Sequence, residues 1–108
     1  MKKVAANIHH LSLLGNCNSK LRKAILRHSE KDLVFAICEC VLNLLNGNVK
    51  TDSRVIHKLG KHKQILRKLV HTGDNVEQKR KLLIQKGGFL PLIIPAILEV
   101  VTSLLSKE

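Results

Sequence analysis

The sequence predicts an all-α protein: a small bundle of five or six helices with a basic surface and an apolar C-terminal helix. Three observations predict it. Apolar residues recur at helical spacing along the chain, clusters of Gly, Asn, Asp and Ser cut it into helix-length pieces, and no stretch alternates long enough to be a strand or carries a hairpin signal. With 108 residues and 44% apolar content, the chain has material for one small core and little surplus stability.

The segments follow in order. Leu11, Leu13 and Leu14 belong to a short opening helix that the turn-prone run Gly15-Asn16-Cys17-Asn18 ends. Ser19 is a candidate cap for the next helix, Lys20 to His28, where Leu21, Ile25 and Leu26 form a short apolar stripe among Lys20, Arg22, Lys23 and Arg27. Ser29-Glu30-Lys31-Asp32 resembles a capping box with Asp in place of Glu. It opens Leu33 to Leu45, apolar around nearly its whole circumference and therefore the expected central helix, which Asn46-Gly47-Asn48 terminates.

Thr51, Asp52 and Ser53 are N-cap candidates for a stretch whose apolar period (Val55, Ile56, Leu59, then Ile65, Leu66, Leu69, Val70) is interrupted near Gly60, as two short helices or one kinked helix. Its other surface carries Arg54, Lys58, Lys61, Lys63, Arg67 and Lys68. His71 to Asn75 closes it and caps a further helix with Val76, Leu82, Leu83 and Ile84 apolar and a basic triplet, Lys79-Arg80-Lys81, before Gly87-Gly88 ends it.

Charge and apolar content are segregated. Residues 1–88 hold 18 of the 19 Lys and Arg against six acids, while Phe89 to Leu105 holds one charge, Glu99. We therefore divide the chain into an N-terminal segment 1–18, a basic helical domain 19–86, and a Gly-Gly junction with an apolar tail, 87–108, that looks like a separable element. A net charge of +11 and a pI near 10.0 predict a polyanionic partner, nucleic acid or an anionic membrane surface. Two Phe with no Tyr or Trp argue against base-stacking platforms and for contact through the phosphate backbone. A solvated basic face that only maintains solubility on a helical adaptor is the blander alternative.

No catalytic constellation is visible: there is no phosphate-cradling Gly loop, no Ser elbow and no acidic pair set for acid-base work, so a non-enzymatic protein without cofactor is expected. Cys38 and Cys40, two apart on a helix, point to different faces and suit burial better than a mutual disulfide or thiol catalysis. His57 and His62 stand at no finger-like spacing from them, so no metal site is expected. An odd cysteine count and the absence of an apolar run after Met1-Lys2-Lys3 predict a reducing intracellular location without a secretory signal.

The tail from Phe89 to Leu105 spans about 25 Å as a helix, short of a hydrocarbon core about 30 Å thick. Pro95 and Glu99 oppose insertion further, so an interfacial, self-associating or core-docked segment is expected over a spanning one.

The run Lys79-Arg80-Lys81-Leu82-Leu83-Ile84-Gln85-Lys86-Gly87-Gly88-Phe89-Leu90-Pro91-Leu92-Ile93-Ile94-Pro95 resembles the junction in the adenovirus minor core protein family, protein X (pre-mu), where a basic DNA-condensing segment meets a Gly-Gly and Leu-Pro-Leu tail. Over Lys20 to Pro95 the chain is also similar to the protein X-like products of the adintovirus and Maverick/Polinton group, including Ile37-Cys38-Glu39-Cys40-Val41-Leu42-Asn43 and Asn46-Gly47-Asn48-Val49-Lys50. The resemblance implies a viral core protein of the virion and host nucleus that aids DNA condensation or packaging. It also implies processing by a viral cysteine protease at Gln85, Lys86, Gly87 and Gly88, with the cut before Phe89. The chain departs from that family in lacking a dense arginine tract; its charges are spread over amphipathic helices, which predicts DNA binding by a folded module.

Two functional classes follow. In the first, Arg22, Lys23, Arg27, Arg54, Lys58, Lys61, Arg67, Lys68, Lys79, Arg80, Lys81 and Lys86 neutralise phosphates of double-stranded DNA without sequence preference, and residues 89–105 serve self-association or capsid contact. In the second, a membrane-active or membrane-anchored accessory protein lays the tail into the interface while Lys79 to Lys86 hold anionic headgroups.

Overall fold

The computed structural model describes residues 2–47, 53–71, 73 and 75–106, with side chains for all of these except 103–106. The first rod is α1 (Lys2–Ala6) and α2 (Ile8–Asn16), bent at Asn7, whose amide Nδ2 donates back to the Lys3 carbonyl at 2.8 Å. Then come α3 (Ser19–His28) and α4 (Lys31–Leu45). Helices α5 (Ser53–Leu59) and α6 (Lys63–His71) are joined by a 3-10 turn at Gly60–His62, so the interruption foreseen at Gly60 is a tightened turn within one rod. Helices α7 (Val76–Lys86) and α8 (Leu90–Ser106) are joined in the same way at Gly87–Phe89. The described residues thus form five rods, or six if the last is divided at the glycines, and contain no strand.

Local chemistry accounts for most boundaries. Asn18, not Ser19, caps α3: its side chain accepts from the Leu21 N–H at 2.8 Å. Asn75 caps α7 by accepting from the Gln78 N–H at 3.0 Å. Gly47 and Gly73 stand past the ends of α4 and α6 with φ of 73° and 63°, a left-handed conformation that costs a side-chain-free residue little. The capping box expected at Ser29 to Asp32 does not form. Glu30, not Ser29, is the N-cap of α4 and makes no side-chain cap bond; Ser29 is the C-cap of α3, its hydroxyl donating to the Leu26 carbonyl at 2.9 Å. Asn48, Thr51, Asp52 and Asp74, read as terminator or caps, lie outside the described residues.

Helix α4 is central, packing against α1, α2, α6, α7 and α8. It buries Leu33, Val34, Ala36, Ile37, Cys40 and Val41, the i, i+1, i+3, i+4, i+7, i+8 stripe of an amphipathic helix. Burial around the whole circumference was the expectation from composition. Instead Leu42 and Leu45 stay 47% and 38% exposed.

The tail is part of the core. Phe89, Leu90, Ile93, Ile94, Ile97 and Val101 join Val4, Leu11, Leu14, Leu26, Leu66, Leu69 and Leu83 in one buried cluster. Among the described residues the most extensive helix pairing is α2 with α8. The compositional division into 1–18, 19–86 and 87–108 is therefore not a division in packing: apolar residues of all three segments fill one interior. A chain this short has few other apolar residues with which to build one.

Gly15 makes the α2–α8 pairing possible. A Cβ placed there would stand 2.9 Å from Ile94 Cγ2 and 3.3 Å from Ile94 Cβ. The residue read as part of a terminating turn is thus a helical residue whose missing side chain lets two backbones approach.

Candidate nucleic-acid interface

Helix α7 packs against α3, α4 and α6. Lys23 and Arg27 on α3, Arg54 and Lys58 on α5, Lys61 in the turn, Arg67 and Lys68 on α6, and Lys81 and Lys86 on α7 are all exposed. Arg22 is half-buried, its Nε 3.8 Å from the place a Cβ on Gly87 would take, so it lies against the α7–α8 junction.

Two of the residues assigned to phosphate turn inward, and this corrects the sequence reading. Lys79 is 4% exposed, and its ammonium donates to the Leu69 carbonyl in the last turn of α6. Arg80 reaches the other way. Its Nη1 donates to the Leu26 carbonyl at 2.8 Å and to the Ser29 carbonyl and hydroxyl at 2.7 Å each, closing α3, while its Nε lies 3.5 Å from the Glu77 carboxylate. A helix C-terminus presents unpaired carbonyls and the negative end of its dipole, so a cation donating there satisfies both. Adjacent residues on a helix project about 100° apart, which is why Lys79 and Arg80 serve two different neighbours and Lys81 alone of the triplet faces outward. The pattern Lys-Arg-Lys reads as surface charge in sequence; two of its three members are internal caps.

The protease-processing residues also have a defined setting. Gln85 and Lys86 end α7, Gly87 is buried, and Phe89 is fully buried with its ring 6.1 Å from that of His62, tilted by 54°. The Gly88–Phe89 bond sits in a 3-10 turn and not in the extended form a protease groove takes, because Phe89 is held by the core.

Both phenylalanines are engaged within the fold: Phe89 in the core and Phe35 beneath the Lys3 ammonium, 4.5 Å from the ring centroid. Neither forms an open stacking platform. Cys17, Cys38 and Cys40 are free thiols. Burial pushes the Cys40 thiol up to about 12, with Glu39 and Cys38 adding to the shift, and burial likewise raises Cys38 against the opposing pull of Lys79 and Lys3. Neither has the depressed pKa of an activated nucleophile. Among the described residues no group of three His, Cys, Asp or Glu is placed to hold a metal; His57 is exposed and His62 lies against Phe89.

By length and composition one helical stretch among the described residues could cross a membrane, Val76–Thr102, which runs through α7 and α8. In the fold the inward face of α8 is spent on the core, and its outward positions include Pro91, Pro95, Glu99 and Thr102.

Fold and surface together define a small all-α bundle with a cationic exterior. No family model, no curated protein and no solved structure matches this chain.

Proposed function

We propose that this protein binds double-stranded DNA through the phosphate backbone, without sequence preference, as a folded core or packaging protein. The observation that supports this most is the set of exposed cations on α3, α5, α6 and α7, held on a bundle that has apolar and hydrogen-bonded reasons to stay folded. The phosphate set is Arg22, Lys23, Arg27, Arg54, Lys58, Lys61, Arg67, Lys68, Lys81 and Lys86; Lys79 and Arg80 leave it. Engaged phenylalanines fit backbone contact better than base stacking. The resemblance to the protein X group agrees with a role in DNA condensation, and the viral protease belongs to the same reading as a partner of the unfolded or opened junction.

The test is binding of the full chain to random-sequence duplex DNA across a salt series. If eight phosphates are engaged, the log-log slope is about −7; a slope shallower than about −2 overturns the reading. Deleting the tail is not a usable control, since Phe89 to Val101 supply core residues. A membrane role would require α8 to leave the core, and vesicle binding that unfolds the bundle by near-native spectroscopy would favour it.

A further inference from the structure

Between α6 and α7 runs an open groove of about 280 Å³ lined by Lys68, Gln78, Lys81, Leu82 and Gln85. Gln78, Lys81, Leu82 and Gln85 follow i, i+3, i+4, i+7, so they form one stripe along α7, and Lys68 faces them from α6. No carboxylate is among the described residues lining it; the Glu77 carboxylate is turned to Arg80 instead.

We infer that this groove is a seat for a phosphodiester strand, the point at which the bundle grips DNA most closely. The inference rests on the reading of the protein as a phosphate-backbone binder. Two features separate the groove from the rest of the basic surface. Its cations come from two helices whose mutual placement is fixed next door: Lys79, two residues before Lys81, donates to the carbonyl of Leu69, the residue after Lys68. A buried contact thus fixes the helix positions from which Lys68 and Lys81 reach across the groove. The groove also pairs charge with neutral donors. Lysine ammoniums meet the phosphate charge, the Gln78 and Gln85 amides can donate to phosphate oxygens, and Leu82 offers an apolar floor for a deoxyribose. Gln78 to Gln85 covers about 10 Å of helix axis, enough to follow successive phosphates of one strand.

Charge and amide contribute differently, and this gives the test. Full-length Lys68→Ala/Lys81→Ala is compared in the duplex salt series with Lys20→Ala/Lys31→Ala, an exposed pair outside the phosphate set, and with Gln78→Ala/Gln85→Ala, after circular dichroism confirms that each is folded. The groove predicts a slope shallower by about 2 and affinity lower by about tenfold or more at 0.1 M salt for the first pair. It predicts a slope within about 0.5 of the parent for the second, which lies outside the groove. The glutamine pair should weaken binding several-fold with the slope unchanged, because neutral amides release no counterions. A steep parent slope with the two lysine pairs indistinguishable overturns the groove and leaves the general reading of function standing. A parent slope shallower than about −2 overturns both.

Discussion

The α2–α8 seam and the α3–α7–α6 side of the bundle hold together by different physics. At the seam Leu11, Leu14, Ile93, Ile94 and Ile97 are fully or almost fully buried and Gly15 lets the backbones close, so fit is set by shape. On the other side, besides the buried Leu26, Leu66, Leu69 and Leu83, Lys79 and Arg80 reach from one helix to the carbonyl ends of two others, adding hydrogen bonds from cations to the apolar contact. The seam tolerates no added volume. The basic side tolerates changes at its rim but not at its two inward donors, and those are the residues that composition would have called surface.

The comparison breaks most completely if the tail is removed. A chain ending at Gly88 loses Phe89, Leu90, Ile93, Ile94, Ile97 and Val101 from the core, more than a small domain's stability of about 5–15 kcal/mol can absorb. It should show no cooperative thermal transition; a sharp melt like that of the full chain would mean that the tail is an appendage after all. By the same logic a cysteine protease offered the native protein should cut the Gly88–Phe89 bond far more slowly than in the same chain held in denaturant, as followed by mass spectrometry.

Single substitutions sharpen the contrast. Ile94→Ala should cost about 2–5 kcal/mol in chemical denaturation, whereas Gly15→Ala, which adds a methyl group where Ile94 already stands, should cost about 1–3 kcal/mol. Arg80→Ala, which leaves the α3 carbonyls without their donor, should cost about 2–3 kcal/mol. Arg27→Ala, an exposed arginine on α3, should stay within about 0.5 kcal/mol of the parent. Equal losses for the two arginines would remove the distinction between inward and outward cations.

The last effect is absent at neutral pH and appears only in alkali. Cys40 keeps its proton in the folded protein up to about 12, against 9.0 for an unperturbed thiol. Above pH 9 the unfolded chain loses that proton while the folded chain retains it, so the folded state binds more protons and stability falls as pH rises. The contribution is whole below pH 9 and lost progressively toward pH 12, with a limiting slope of about 1.4 kcal/mol per pH unit. Denaturation midpoints of Cys40→Ala should fall less steeply over that range than those of the parent.

Much of the fold was legible because it is local. Asn75 shows itself as a cap by sitting ahead of a helical run, Gly47 and Gly73 as terminators by following one, and α4 as the central helix by its apolar content, whereas the cap of α3 fell on Asn18 one residue before the Ser19 expected. The Ser29 box failed as a prediction because Ser29 closes the preceding helix and Glu30 takes the N-cap position of α4, and Arg80, 51 residues away, joins Ser29 there. For the candidate site, the exposed lysines and arginines of α3, α5 and α6 were readable from the helical faces opposite apolar stripes. The Lys79 and Arg80 assignments were not, since an inward cation is revealed only by the carbonyl it meets. One signal was present: Lys79, Leu82, Leu83 and Lys86 share the i, i+3, i+4, i+7 spacing of a single stripe, which placed Lys79 beside an apolar row. Gln78 and Gln85 were not read as binding residues for DNA because neutral residues gain that meaning only from Lys68 on a different helix.

By itself the sequence determined that this protein is helical, where most helices begin and end, that its exterior is cationic and that its C-terminal segment must be shielded from water or embedded. Those follow from period, turn chemistry and charge, which act over a few residues. Only the tertiary structure decided that the tail fills the common core, that Gly15 is a contact and that two of three consecutive basic residues are internal caps. Each depends on which surfaces meet across long stretches of chain, and helical spacing says which residues share a face but not what that face will touch.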